Sequence, residues 1–154
     1  KVRWKTGLYG IVLWGHLFAR SIYSGTLPDT LQWCLGTCTL QKNKIKALNL
    51  ENHIKKTILT SNYGLRNSNP STFCFQKICD MEKTSPTNLV YIGDDPHKDF
   101  VGLKREGFKT IRLFKGRFKN ERLSKEFEAD YKIKSLKEIN EKFIKKISEI
   151  DLNR

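Results

Sequence analysis

Three carboxylates follow one apolar segment in the second half of the chain. The segment 89–92 (Leu-Val-Tyr-Ile) is followed by Gly93, then by Asp94 and Asp95, and a third acid comes at Asp99. Carboxylates this close repel one another unless a cation or basic side chains lie among them. Their oxygen atoms are the ligands that Mg²⁺ prefers. The pattern predicts a magnesium site, and the simpler alternative is a helix N-cap at Asp94 or Asp95.

Short apolar segments around these acids predict the strands that must position them. Residues 57–60, 89–92 and 109–114 each combine β-branched or aromatic residues with a turn or a glycine close by. Continuous apolar runs of this length are typical of strands buried in a parallel sheet. We therefore expect an α/β domain, with helices on both faces of a mainly parallel sheet and the acids at its carboxyl edge.

The acidic stretch also resembles a known motif. It is similar to the fourth motif of the haloacid-dehalogenase-like (HAD) hydrolases, a superfamily that consists mostly of phosphatases. The positions that carry the resemblance are Gly93, Asp94, Asp95, Asp99, Gly102, Gly107 and Lys109-Thr110-Ile111.

The resemblance implies a fold, a cofactor and roles for these acids. The fold would be a three-layer Rossmann-like domain, and the substrate a phosphorylated small molecule. Asp94 and Asp95 would be the metal residues for Mg²⁺. Asp99 would support catalysis by coordination or by orienting a basic group.

A turn rich in hydroxyl and amide groups follows the predicted strand 57–60. It resembles the second HAD motif, in which a Thr or Ser at a strand end binds a phosphoryl oxygen. The resemblance implies that Ser61 contacts phosphate and takes part in catalysis, with Asn62 beside it and Thr60 as the second choice. The alternative is an ordinary Ser-Asn-Gly turn.

The third HAD motif is only partly present. The family carries a lysine here that neutralises the nucleophile and the phosphate, and this chain has Asn67 at that position. An amide cannot supply the positive charge. Arg66 or Lys98 would have to compensate, or the site lacks that charge.

The first HAD motif, a strand followed by Asp-x-Asp, is absent from the chain. In the family, its first Asp attacks phosphorus and its second acts as general acid and base. The nearest substitute is the run 11–16 (Ile-Val-Leu-Trp-Gly-His), which would bring Trp14 and His16 near the positions of the two acids. Neither side chain can replace a carboxylate. The other explanation is that the true amino-terminal half is missing or altered.

Composition adds weaker constraints. The 154 residues include 29 Lys and Arg against 16 Asp and Glu, a net charge of +13. Such a charge attracts nucleic acid, acidic lipid or phosphorylated metabolites, but a lysine-rich solvated surface gives the same number. Basic residues before a short, glycine-interrupted apolar run do not make a membrane span or a clear secretion signal. We expect a cytoplasmic protein without membrane contact, and binding to nucleic acid stays possible.

Other segments give local expectations. The segment 27–38 reads as a short helix broken at Gly36, and 120–129 as a second helix. A short edge strand is expected near 130–133, and Ser135 with Glu138 forms a capping box before an amphipathic helix. The basic run 115–119 is a solvated loop or a phosphate-binding loop. The four cysteines lack common zinc-site spacing and fit free thiols.

Taken together, the sequence predicts residues 44–154 as the carboxyl-terminal part of a HAD-like core, incomplete on its amino-terminal side. Residues 1–43 form a segment whose structure the sequence does not define. The expected function is that of a Mg²⁺-dependent phosphohydrolase, impaired because the nucleophile is missing. The alternatives are a non-catalytic basic binding module with the same fold, or a truncated fragment without a function of its own.

Overall fold

The computed structural model describes residues 10–13, 30–34, 38–47, 49, 56–67 and 71–149. These residues form six strands and four α-helices. The strands are β1 (Gly10–Leu13), β2 (Thr30–Cys34), β3 (Lys56–Leu59), β4 (Leu89–Gly93), β5 (Lys109–Leu113) and β6 (Tyr131–Ile133). The helices are α1 (Cys38–Ala47), α2 (Phe73–Glu82), α3 (Val101–Arg105) and α4 (Glu141–Glu149).

All six strands belong to one sheet, in the order β3-β2-β1-β4-β5-β6. Every neighbouring pair is parallel. At the carboxyl edge, Leu13 of β1 pairs with Ile92 of β4, and Gly93 pairs with Arg112 of β5. The prediction of a parallel sheet that includes the strands near 57–60, 89–92 and 109–114 is confirmed.

Strand β4 shows why the domain has three layers. Its residues alternate between two separate hydrophobic clusters, because successive side chains of a strand point to opposite faces. Val90 and Ile92 belong to a cluster with residues of α1 and α4, and Leu89 and Tyr91 to a cluster with residues of α2 and α3. Helices therefore cover both faces, and the whole of β4 is buried, as the sequence predicted.

The carboxyl-terminal part follows its local sequence signals in part: the capping box at Ser135 forms, but it caps the 3₁₀ turn Leu136–Glu138, and the amphipathic helix α4 begins only at Glu141. Ser135 and Glu138 make the expected capping box, in which the Ser135 side chain accepts from the Lys137 N–H and Glu138 accepts from the Ser135 N–H. Ile144 and Ile147 of α4 are buried against the sheet while Lys145 is exposed. The edge strand expected near residue 130 is β6.

Two predicted helices are wrong. Residues 30–34 form strand β2 rather than part of a helix, and 120–129 form turns rather than a helix. In the first segment, a short apolar run does not distinguish a helix from a strand, and pairing with β1 and β3 decides. In the second, the backbone is held by tertiary contacts to Arg112, described below.

The centre of the sheet, where the sequence lacks its first motif, is filled by β1. This strand lies between β2 and β4, as expected for the substitute run 11–16. Trp14 and His16 lie outside the described residues. The division at residue 44 stays a prediction, although β1 and β2 precede it and belong to the same sheet.

Within the described part of the chain, no helix is long and apolar enough to cross a membrane. Cys74 and Cys79 are free thiols.

Candidate functional site at the carboxyl edge of the sheet

The turn after β4 is organised by the side chain of Asp99. Its Oδ2 accepts the backbone N–H of Asp94 at 3.2 Å and that of Asp95 at 3.0 Å. Asp99 is almost completely buried, and it lies directly against Gly93. A Cβ atom on Gly93 would stand 2.5 Å from Asp99 Oδ2. The glycine is therefore required because the carboxylate occupies the space of a side chain.

Burial also changes the acidity of Asp99. It raises the pKa of Asp99 to about 7, with the charges of Asp94 and Asp95 adding to the rise and the backbone hydrogen bond opposing it. Tyr91, on the strand beneath, is fully buried, and burial together with the Asp99 carboxylate raises its pKa well above the ordinary value. Asp99 thus acts here as an internal acceptor that fixes the turn.

Asp95 is held by basic and polar groups of the same turn. Its Oδ2 lies 3.1 Å from Lys98 Nζ, and its Oδ1 accepts the backbone N–H of His97 at 3.1 Å. The His97 Nδ1 also lies 3.1 Å from Oδ1. Burial alone would raise the pKa of Asp95, but the hydrogen bonds from Lys98 and His97 lower it. Asp95 therefore pairs with basic groups of its own turn, whereas the resemblance implied that it holds Mg²⁺.

Asp94 is the half-exposed acid of the three, at the edge of the sheet beside the end of β1. Mg²⁺ is commonly held by one or two carboxylates together with waters and substrate phosphates. Both oxygens of Asp95 and the Oδ2 of Asp99 lie on protein donors. Across the described residues, no group of three or more His, Cys, Asp or Glu side chains is placed to hold a metal ion. The expected gathering of three acids around one cation is therefore not observed among the described residues.

The hydroxyl-rich turn at Thr60, Ser61 and Asn62 is not beside this site. It follows β3, the edge strand, and β2 and β1 lie between β3 and β4. Three inter-strand spacings separate β3 from β4, about 14 Å. The resemblance to the second HAD motif implies a strand beside the central strand, and β3 does not lie there, so the placement does not support a site shared by Ser61 and Asp94.

The strand that does neighbour β1 is β2, which the sequence reading took for a helix. The first hydroxyl after β2 in the sequence is Thr37, which lies outside the described residues. The signal that could have found β2 is its pattern and position: Leu31 and Trp33 alternate with polar residues between the turn residues Pro28-Asp29 and Gly36. The strand order, not the local motif, is what distinguishes β2 from β3.

Asn67, at the position of the family lysine, donates from Nδ2 to the Tyr63 carbonyl oxygen at 2.6 Å. The Asn67 side-chain amide therefore stabilises the turn 63–67. Arg66 is exposed, and Lys98 pairs with Asp95. Of the two cations considered as compensation, Lys98 is therefore the one held at the turn of the acids.

Fold and site together define a class: a three-layer α/β domain with an all-parallel sheet and an acidic turn at its carboxyl edge, as in HAD hydrolases. Residues 67–139 match the family model described as HAD-hydrolase-like. The resemblance to the HAD hydrolases is thereby confirmed, for part of their domain. No curated protein sequence matches the chain.

Solved structures share the fold at low sequence identity. YfnB from Bacillus subtilis, assigned as a HAD-hydrolase and bound to magnesium, matches with a TM-score of 0.65 and 18% identity over 78% of this chain and 51% of its own. A HAD phosphatase from Thermococcus onnurineus matches with a TM-score of 0.62 and 19% identity, over 83% and 55%. An uncharacterized protein from Listeria monocytogenes serotype 4b has a TM-score of 0.64 and 11% identity, over 92% and 99%. At these identities the likeness establishes the fold, and the chain spans about half the length of the first two proteins.

Proposed function

We propose that this chain is the core domain of a HAD-like phosphohydrolase that keeps the fold but has lost most or all of its phosphoryl transfer. The fold and the family model support the phosphohydrolase class. The loss is inferred from the central strand, where the family carries its nucleophile.

One observation carries the proposal. Strand β1 lies between β2 and β4, with Leu13 paired to Ile92, one residue before the Gly93-Asp94 pair. The chain continues from Leu13 with Trp14, Gly15 and His16. The sequence directly after the central strand therefore contains no carboxylate.

This sequence removes the nucleophile of the family mechanism, because an indole cannot attack phosphorus to form a phosphoenzyme. The imidazole at the second position can transfer protons but does not replace a carboxylate as a ligand for a hard cation. When bound, Mg²⁺ would supply charge neutralisation to a phosphate ester. In this chain Asp94 would be its carboxylate ligand, while Asp95 pairs with Lys98 and Asp99 shapes the turn.

The phosphate-binding role needs reassignment within this proposal. Strand β2 lies next to β1, whereas β3 does not. We therefore transfer the role from Ser61, Asn62 and Thr60 to Thr37, the first hydroxyl after β2. The ligand class would be a phosphorylated small molecule in the cytoplasm.

A phosphatase assay tests the loss of activity. The purified chain is incubated with p-nitrophenyl phosphate and Mg²⁺ beside Asp94→Asn, with Asp80→Asn on the exposed face of α2 as the matched control. We expect the same background rate from all three proteins. Clear turnover that Asp94→Asn removes and Asp80→Asn keeps would overturn the proposal.

A further inference from the structure

The loop after β5, residues 114–122, is a strongly basic surface element at this edge of the sheet. Its sequence is Phe-Lys-Gly-Arg-Phe-Lys-Asn-Glu-Arg, with four cations and one acid. Lys115, Arg117, Lys119 and Arg122 are exposed, and Phe118 is half-buried. The loop therefore presents positive charge and an aromatic ring on the same short stretch.

A buried arginine holds this loop in one conformation. Arg112 of β5 is completely buried and pairs with the Glu128 carboxylate. Its Nη2 donates to the Phe118 carbonyl oxygen at 2.8 Å and to that of Glu121 at 3.1 Å. These bonds fix the backbone of the loop without using the side chains of Arg117 and Lys119. The exposed cations of the loop are therefore carried by a preorganised backbone.

The loop is also joined to the acidic turn. The His97 Nε2 lies 3.2 Å from Glu121 Oε2, and the His97 ring packs against Phe118 with centroids 5.7 Å apart. The Arg117 guanidinium lies 5.4 Å from the centre of the Phe118 ring. The three groups, an imidazole, a phenyl ring and a guanidinium, follow one another as a row; the His97 and Phe118 planes are tilted by 59°, and the His97 side chain at the end of the row is 52% exposed.

We infer that residues 114–122, together with His97, form a binding surface for single-stranded nucleic acid. Arg117 and Lys119 contact phosphates, and the row of His97, Phe118 and Arg117 stacks with unpaired bases. Proteins that bind single strands combine basic side chains along the backbone with aromatic or guanidinium planes against the bases. The net charge of +13 adds long-range attraction to a polyanion. This binding is independent of the proposed phosphohydrolase ancestry.

A single strand fits this surface better than a duplex or a small phosphate. In a duplex the base faces are stacked on one another, so the flat groups of the row would have no partner. A small phosphate would need the cations but not the aromatic ring. The inference therefore requires both a charge contribution and a stacking contribution, which separate variants can measure.

The charge contribution is tested by fluorescence anisotropy with a labelled 20-nucleotide oligo-uridine at 50 mM salt. The variant Arg117→Glu/Lys119→Glu is compared with Lys142→Glu/Lys145→Glu, which makes the same charge change on the exposed face of α4. We expect the loop variant to weaken binding at least about tenfold and the α4 variant less than about threefold. The slope of log K against log salt should fall by about 1.4 in the loop variant, since each phosphate contact in a single strand contributes about 0.7.

The stacking contribution is tested with Phe118→Ala, whose backbone carbonyl still accepts from Arg112. We expect this variant to bind the single strand about tenfold more weakly, and a duplex of equal length as weakly as the parent protein does. Circular dichroism confirms that each variant is folded. Equal losses in the two charge variants, heparin or duplex bound as tightly as the single strand, or no binding at 50 mM salt would each overturn the inference.

Discussion

The Asp99 side chain fills the space that a side chain at Gly93 would need, because a Cβ on Gly93 would stand 2.5 Å from Asp99 Oδ2. The carboxylate cannot move aside easily, since it accepts two backbone hydrogen bonds and is buried. The absence of a side chain at Gly93 thus leaves room for the buried Asp99 carboxylate. This relationship makes the turn sensitive to a single methyl group.

Gly93→Ala should destabilise the domain by about 3 kcal/mol, the upper range for overpacking in a core. Urea unfolding measures the effect. Gly64→Ala is the comparison: its backbone is left-handed, at φ +86°, but its Cβ would meet nothing within 4 Å. That variant should lose only about 1 kcal/mol of backbone strain. Equal losses at the two glycines would contradict the packing explanation.

Asp99→Asn should flatten the dependence of stability on pH. In the unfolded chain the Asp99 carboxyl has its ordinary pKa of 3.8, and in the folded protein its pKa is about 7. Between these values the folded state binds more protons than the unfolded state, so stability falls as pH rises through this window and the loss is complete above it. The total is about 4 kcal/mol, at about 1.4 kcal/mol for each pH unit between the two pKa values.

An asparagine at position 99 keeps a carbonyl acceptor for the backbone N–H groups of Asp94 and Asp95 but does not ionise. Urea unfolding at pH 4.5 and pH 8, in EDTA to exclude cations, compares the variant with the parent and with Asp80→Asn. The difference in unfolding free energy between the two pH values should shift by several kcal/mol in Asp99→Asn alone. An unchanged difference would show that Asp99 ionises normally in the folded protein.

Arg112→Met should be strongly destabilising. It leaves the buried Glu128 without its arginine partner and removes the donors to two loop carbonyls, a loss of about 3 kcal/mol or more. In the parent protein, burial alone would raise the pKa of Glu128, but Lys132, the Leu123 N–H and Arg112 lower it.

Arg105→Met is the matched control for this loss. The Arg105–Glu126 pair is exposed, with 73% and 58% of the two side chains accessible, and its loss should cost less than about 1 kcal/mol. Urea unfolding and limited proteolysis of the 114–122 loop provide the measurements. A loop that stays resistant in Arg112→Met would show that other contacts hold it.

Restoring the missing motif should restore chemistry. The variant Trp14→Asp/His16→Asp/Asn67→Lys places an Asp-x-Asp after β1 and supplies the family lysine. We expect Mg²⁺-dependent hydrolysis of p-nitrophenyl phosphate on the order of 10²-fold above the parent rate. The control Trp14→Asn/His16→Asn/Asn67→Lys has nearly the same shape without carboxylates and should stay at background. Equal rates in the two triple variants would show that β1 does not carry the nucleophile position.

The sequence was most informative where neighbours in the chain are also neighbours in space. The buried strand β4 follows from an uninterrupted apolar run. The capping box at Ser135 follows from a spacing of three residues, and the buried face of α4 from helical periodicity. The acidic motif and its resemblance to HAD hydrolases also needed only a continuous stretch. In each case the deciding interactions lie within about one turn or one strand.

Tertiary structure decided the order of strands and therefore which groups share a site. The segments that became β2 and β3 are both short, and only the pairing of β2 with β1 removes Ser61 from the neighbourhood of Asp94. The surroundings of the acids also depend on a distant contact, because the Glu121 carboxylate reaches His97, which contacts Asp95, from another loop. Pairing between strands and burial of charge are non-local interactions, and local sequence patterns carry little information about them.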